Sequence, residues 1–172
     1  MTTLFIRVDG KPIAQPRPRA RNAGKHARVY SPKKVKRKGV YVDNPIYIWR
    51  ELITKAARMN RPSKPMDCPV RVDLVFLFER PQRMMRRKDP EGRMWHTAKP
   101  DRDNIDKPVI DCLKNDGWFV DDSHVCAGEI LKLYCAKGEE PGLLICIAPI
   151  LTEPGSRRLL RPPEPAERAD PC

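Results

Sequence analysis

The chain has 172 residues, enough for one domain with a buried core, and an apolar content of 40% that is ordinary for a globular protein. Its 34 Lys and Arg outnumber 22 Asp and Glu, and the formal net charge of +12 favours a polyanionic partner over an acidic one. No run of about eighteen apolar residues occurs, which excludes a helical membrane span, and the first residues lack a basic leader and a small-residue cleavage site, so the expected location is the cytoplasm.

In chain order, Leu4 to Val8 reads as a short strand. Lys11 to Lys38 carries eleven Lys and Arg and no acid. Pro12, Pro16 and Pro18 restrict that backbone to extended geometry, so Arg17, Arg19 and Arg21 are expected to project from a stiff arm, with Lys33 and Lys34 further along it. The plainer reading is a solvated basic loop. Asn44-Pro45 has the form of an N-cap followed by proline at the first helical position, and Ile46, Trp49, Ile53 and Ala56 then share one face, which predicts an amphipathic helix to about Asn60. Val70 to Phe78 alternates and then becomes continuously apolar, as a strand inside a sheet does.

Arg80 to Lys99 is irregular, basic and rich in methionine, and is expected to be a functional or mobile loop. A second helix is predicted from Asp103 or Asn104, either a good cap, with Ile105, Val109, Cys112 and Leu113 as its apolar stripe, Pro108 in its first turn and Asn115-Asp116-Gly117 at its close. Val125 to Tyr134 and Leu143 to Ile147 predict two more strands. Beyond Ile150, Pro, Arg, Glu and Ala dominate, and the absence of large apolar groups predicts a disordered tail over 151–172. Residues 1–150 then form a single α/β (α+β) domain, a mixed sheet with about two main helices. The six cysteines contain no CxxC pair and are expected to be reduced core thiols, while His124-Val125-Cys126 lacks the partner residues of a zinc deaminase.

The chemistry concentrates in Lys99-Pro-Asp-Arg-Asp-Asn-Ile-Asp-Lys107 and Asp121-Asp122. Asp101 and Asp103 are two residues apart in extended backbone, which turns both side chains to one side, and Lys107 follows Asp103 by one helical turn. Two carboxylates about 4 Å apart repel by roughly 4 kcal/mol at an effective dielectric near 20, and a divalent cation is the simplest compensator. Either Asp121 or Asp122 is expected to complete the ligand set. Oxygen donors without His or a Cys cluster favour Mg²⁺, with Mn²⁺ as the alternative. An EF-hand fails, because its fifth, sixth and twelfth positions would be Ile105, Asp106 and Cys112. A purely structural alternative has Asp103 capping the helix, Lys107 paired with it, and Asp121-Asp122 forming a turn. Basic surface with a carboxylate nest is the composition of an enzyme that hydrolyses nucleic-acid phosphodiesters, Lys107 orienting water or steadying charge on the phosphorane. The rival class is a non-catalytic nucleic-acid-binding protein. The stacked aromatics of an RNA-binding sheet are missing from the sequence.

Further blocks join this string: Gly10-Lys-Pro12, Pro16-Arg-Pro-Arg19, Val29-Tyr-Ser-Pro-Lys-Lys34, His96-Thr-Ala-Lys-Pro-Asp-Arg-Asp-Asn104, Lys107, Asp111 and Trp118-Phe-Val-Asp-Asp122. In that order and spacing the chain resembles, over roughly Met1 to Ile150, the RusA family of Holliday junction resolvases, endonucleases common in phages and prophages. The resemblance implies a small mixed α/β protein acting as a homodimer, with two metal sites that nick opposed strands of a four-way DNA junction in recombination and repair. It places the essential acids on Asp101, Asp103 and Asp122, with Asp121 the less favoured third ligand, and the essential lysine on Lys107. It also implies that Arg17, Arg19, Arg83, Arg86, Arg87 and Lys88 grip phosphates of the junction arms. Pro108 departs from the family pattern, where a small or helix-forming residue is more usual. A metal nuclease for flaps or other branched DNA would share every one of these residues, as would a branched-DNA-binding protein with structural acids all but the catalysis.

Overall fold

The computed structural model describes residues 3–16, 19–23, 26–30, 33–37 and 40–150, with backbone alone over 19–23, 26–30, 36–37 and 40–41. Its frame is a mixed six-stranded sheet. The strands are β1 (Leu4–Asp9), β6 (Val70–Phe78), β7 (Met94–Trp95), β8 (Val125–Ala127), β9 (Ile130–Tyr134) and β10 (Gly142–Pro149), in the order β1-β10-β6-β9-β7 with β8 also paired to β6. β8 and β9 run parallel to β6, and β1 and β10 join antiparallel. The central position expected of Val70 to Phe78 is therefore the one β6 takes. Phe76, Leu74 and Val72 lie opposite Leu143, Ile145 and Ile147 of β10, which in turn face Val8, Ile6 and Leu4 of β1. All of these but the partly buried Leu4 are buried in one core with the apolar stripes of helices α1 (Pro45–Met59) and α2 (Asp103–Asn115).

α1 forms where its cap and period place it. The Asn44 side chain accepts the Ile46 N–H at 3.3 Å, a cap of the kind that contributes about 1 kcal/mol, and Pro45 opens the first turn. Its buried face is Ile46, Trp49, Ile53 and Ala57, with Ala57 in place of the expected Ala56. α2 buries Ile105, Pro108, Val109, Cys112 and Leu113. Trp118, fully buried just past its end, donates its indole N–H to the Ala57 carbonyl at 3.3 Å and links the two helices.

Four expectations change. The described parts of the basic segment are extended, but they form two antiparallel hairpins in place of a single stiff arm: β2 (Arg19–Ala23) with β3 (His26–Tyr30), and β4 (Lys34–Arg37) with β5 (Val40–Asp43). The segment from Arg80 to Lys99 is tied down: the buried Arg80 guanidinium donates to the carbonyls of Cys135 at 2.9 Å, Pro90 at 2.6 Å and Gly92, and β7 pairs with β9. Val125 to Tyr134 breaks into β8 and β9 at Gly128, where a Cβ would lie 1.9 Å from the Val72 carbonyl oxygen, so only glycine lets the chain approach β6 there.

The fourth change concerns α2. Arg102 stands at its N-cap position without a side-chain bond, and Asp103 is the first helical residue. Pro108 thus lies in the second turn, beyond the positions where a missing N–H is free of cost. The carbonyl it leaves without its helical donor, that of Asn104, accepts the Gln15 N–H at 2.7 Å. A defect in the helix has become the seat of the segment that leads into the basic hairpins. Cys68, Cys112, Cys126, Cys135 and Cys146 are free thiols, and of these Cys112 and Cys135 are buried and Cys126 is exposed. The stretch 151–172 lies outside the described residues.

Candidate active site

A cis peptide joins Lys99 to Pro100 and leads into Asp101, whose carbonyl accepts the Asn104 N–H at 3.2 Å in the turn that starts α2. Asp101 and Asp103 are both exposed at the amino end of that helix, where its dipole favours negative charge. Asn104 donates its side-chain amide to Asp103 at 3.2 Å. Asp103 does not cap the helix, and Lys107 does not pair with it. The Lys107 ammonium, exposed, lies 3.6 Å from Asp111, one turn further on. The structural alternative in which Asp103 caps and Lys107 neutralises it is therefore not the arrangement found.

Asp121 and Asp122 sit at the head of a 3₁₀ turn over Asp122–His124. Asp121 caps that turn: its carboxylate takes the Ser123 N–H at 3.0 Å, and His124 Nδ1 returns to its backbone N–H at 3.2 Å. The Lys114 ammonium reaches both acids, at 2.6 Å from Asp121 and 2.9 Å from Asp122. That lysine, then the Ser123 N–H, holds the Asp121 carboxyl well below the usual carboxylate range, and the same two acids raise Lys114. No backbone N–H among the described residues donates to the Asp122 carboxylate. The Asp121 carboxylate is thus engaged in shaping the turn, while that of Asp122 meets the Lys114 ammonium.

All the donors here are oxygens, which suits a hard divalent cation. Among the described residues no group of three or more His, Cys, Asp or Glu side chains is gathered to hold one ion. α2 accounts for the spacing. At 1.5 Å per residue, Asp103 and Lys114 stand about 16 Å apart along its axis, and Asp121 and Asp122 lie against the Lys114 end. Asp106, not singled out from the sequence, lines a cavity of about 300 Å³ with Val72, Leu74, Ile110, Cys126 and Gly128, and burial raises its carboxyl pKa.

The basic residues divide three ways. Arg17 lies outside the described residues, and Arg19 and Arg21 fall in β2, where Arg21 stands in register with Arg28. Lys33 and Lys34 are exposed beside α1, whose cap residue Asn44 donates its N–H to the Lys33 carbonyl at 2.8 Å. Arg83, Arg86, Arg87 and Lys88 are exposed on the tied-down segment, Arg86 lying 3.5 Å from Asp89. His96 is no part of this site. It is buried and stacked on Phe78 with ring centroids 4.1 Å apart.

Lys114 and Arg50 meet their partners only in three dimensions. Arg50 on α1 donates to Asp111 at 3.1 Å and to the Gln15 side chain at 3.0 Å. Asp111 was within reach of the same one-turn rule that links Asp103 to Lys107. Lys114 had no such signal, because its partners lie beyond the turn that closes the helix.

None of the helices among the described residues is long and apolar enough to cross a membrane. A protein of Bacillus subtilis (strain 168), the uncharacterized protein YqaN, is 30% identical over 154 residues, an alignment that covers 86% of this chain and 96% of that protein. Residues 9–148 match the model of the endodeoxyribonuclease RusA family, a span holding the head of α2, the Lys114 turn and the basic hairpins, and the chain belongs to that family.

Proposed function

We propose that this protein is a Mg²⁺-dependent Holliday junction resolvase, a homodimeric endodeoxyribonuclease that nicks opposed strands of four-way DNA junctions. The observation that carries the reading is the seating of the basic segment on the helix of the acids. Gln15 binds the Asn104 carbonyl, so the chain that leads into Arg17, Arg19 and Arg21 departs beside Asp101, Asp103 and Lys107. A phosphate backbone held by the one is delivered to the other. Family membership supplies the reaction class.

In this reading Asp101 and Asp103, together at the head of α2, would hold the divalent ion, Mg²⁺ or Mn²⁺, and Asp122, which is not gathered with them among the described residues, would have to leave Lys114 to become the third ligand; a bound ion would polarise the phosphate and lower the pKa of a water. Lys107 orients the attacking water or steadies charge building on the phosphoryl oxygens. Arg17, Arg19, Arg21, Lys33 and Lys34 on one side, and Arg83, Arg86, Arg87 and Lys88 on the other, hold junction arms through phosphates and not through base edges, as recognition of shape requires. The two copies of a homodimer would face the two strands to be cut.

The test is cleavage of a synthetic four-way junction beside matched linear duplex and flap, with Mg²⁺ or EDTA, by the unaltered chain and by Asp103→Asn. Symmetric nicking of the junction that needs the metal and vanishes in the variant is expected. Preference for the flap would move the protein to a different branched substrate. Junction binding without cleavage under any metal condition would leave a branched-DNA-binding protein whose acids are structural.

A further inference from the structure

Resting on the nuclease reading above, we propose that Asp111 is the positioning residue of Lys107, and that Arg50 joins this pair to the root of the basic segment. Each oxygen of the Asp111 carboxylate faces a different cation: Oδ1 lies 3.6 Å from the Lys107 ammonium, and Oδ2 accepts from Arg50 Nη2 at 3.1 Å. The same Nη2 donates to Gln15 Oε1 at 3.0 Å, and the Gln15 N–H is the donor bound to the Asn104 carbonyl at 2.7 Å. A continuous set of polar contacts thus runs from the point where the basic segment meets α2, through α1, to the lysine.

The arrangement is better suited to aiming a side chain than to stabilising a helix. A carboxylate four residues after a lysine is the weaker order for a helical ion pair, and the 63% exposed Lys107 gains little from so open a contact. Left alone, an ammonium on four flexible carbons samples many rotamers. The planar guanidinium of Arg50, about one-third exposed, is held by its bonds to Asp111 and Gln15, and through the first of these it narrows the directions in which Lys107 finds a partner. Because Gln15 shares that guanidinium, the lysine is best aimed when the root of the basic segment is seated, and the grip on DNA and the chemistry are linked through one arginine.

The test compares single-turnover cleavage of a four-way junction in Mg²⁺, junction affinity in EDTA, and thermal stability, in the unaltered chain and in Asp111→Asn, Asp111→Glu and Arg50→Gln. Asp111→Asn is expected to slow cleavage by about 10- to 100-fold with junction affinity nearly unchanged, Arg50→Gln to slow it as much and also to weaken junction binding, and Asp111→Glu to recover part of the rate. In a Lys107→Met background Asp111→Asn is expected to cost almost nothing more, because the two residues act as a unit. Independently of activity, relaxation of the Lys107 terminal methylene measured by NMR should show greater mobility in Asp111→Asn and in Arg50→Gln. Unchanged mobility, a fully additive loss in the double variant, or a loss that follows thermal stability would overturn the proposal while leaving the nuclease reading intact. Failure of the unaltered chain to cleave would overturn both.

Discussion

His96 shows how a residue near the acids in sequence is removed from them by packing. Its ring lies between Phe78 and Tyr134, at centroid distances of 4.1 and 4.5 Å, and its Nδ1 is buried without a hydrogen-bond partner. Burial, and then the Lys132 charge, lower its pKa, so the folded protein resists taking the proton that an unfolded histidine accepts. The unfolded state therefore binds more protons as the pH falls through and below about 6.5, and stability present above that value is lost in this window. His96→Phe keeps the stack and removes both the titration and the orphaned nitrogen. Its thermal midpoint at neutral pH is expected to match or exceed that of the parent, and its midpoint to fall less between pH 7 and 5. An unchanged acid slope would place the titrating group elsewhere. At this scale the placement of the candidate groups was legible in the sequence: Asp101, Asp103 and Lys107 are all exposed on or beside one helix turn. The partners of those groups were hidden, because Lys114 meets Asp122 across a turn and Arg50 meets Asp111 across two helices.

At the scale of elements, α1, α2, β1, β6 and β10 were legible because each buries a stripe or an alternation long enough to show a period. The hairpins of the basic segment were not, since Arg-Ala-Arg-Asn-Ala and Lys-Val-Lys-Arg carry no apolar face to reveal their pairing. β7 has two residues, too few for any pattern. Arg80, which marked only the start of an irregular stretch in the sequence, is the buried clasp of its own loop. Pro108 is the element-level feature whose effect is most easily measured. Replacing it with alanine restores an N–H directed at the Asn104 carbonyl and removes the ring that crowds that oxygen. In Pro108→Ala, native-state hydrogen exchange is expected to show stronger protection in the second turn of α2 and weaker protection of the Gln15 amide. Unchanged protection at Gln15 would mean that the carbonyl serves both donors, as its two lone pairs permit.

For the molecule as a whole, the net charge of +12 makes a quantitative claim about binding. If about eight phosphates are neutralised in the complex with a junction, the affinity should fall with a log–log salt slope of roughly −7. Titration of junction binding against NaCl measures it, and a slope near zero would remove the phosphate-gripping role given to the basic residues. The chain order of the sheet has a consequence for how the protein is made. Leu4 to Asp9 pairs with Gly142 to Ile147, and β6 cannot complete its antiparallel side until that same late strand arrives. At ribosomal speed the first strand emerges on the order of ten seconds before its partner exists. For that interval Ile6, Val8 and the apolar run of β6 lack the strand that covers them in the fold, a stretch of apolar surface that the nascent chain carries until β10 closes the sheet.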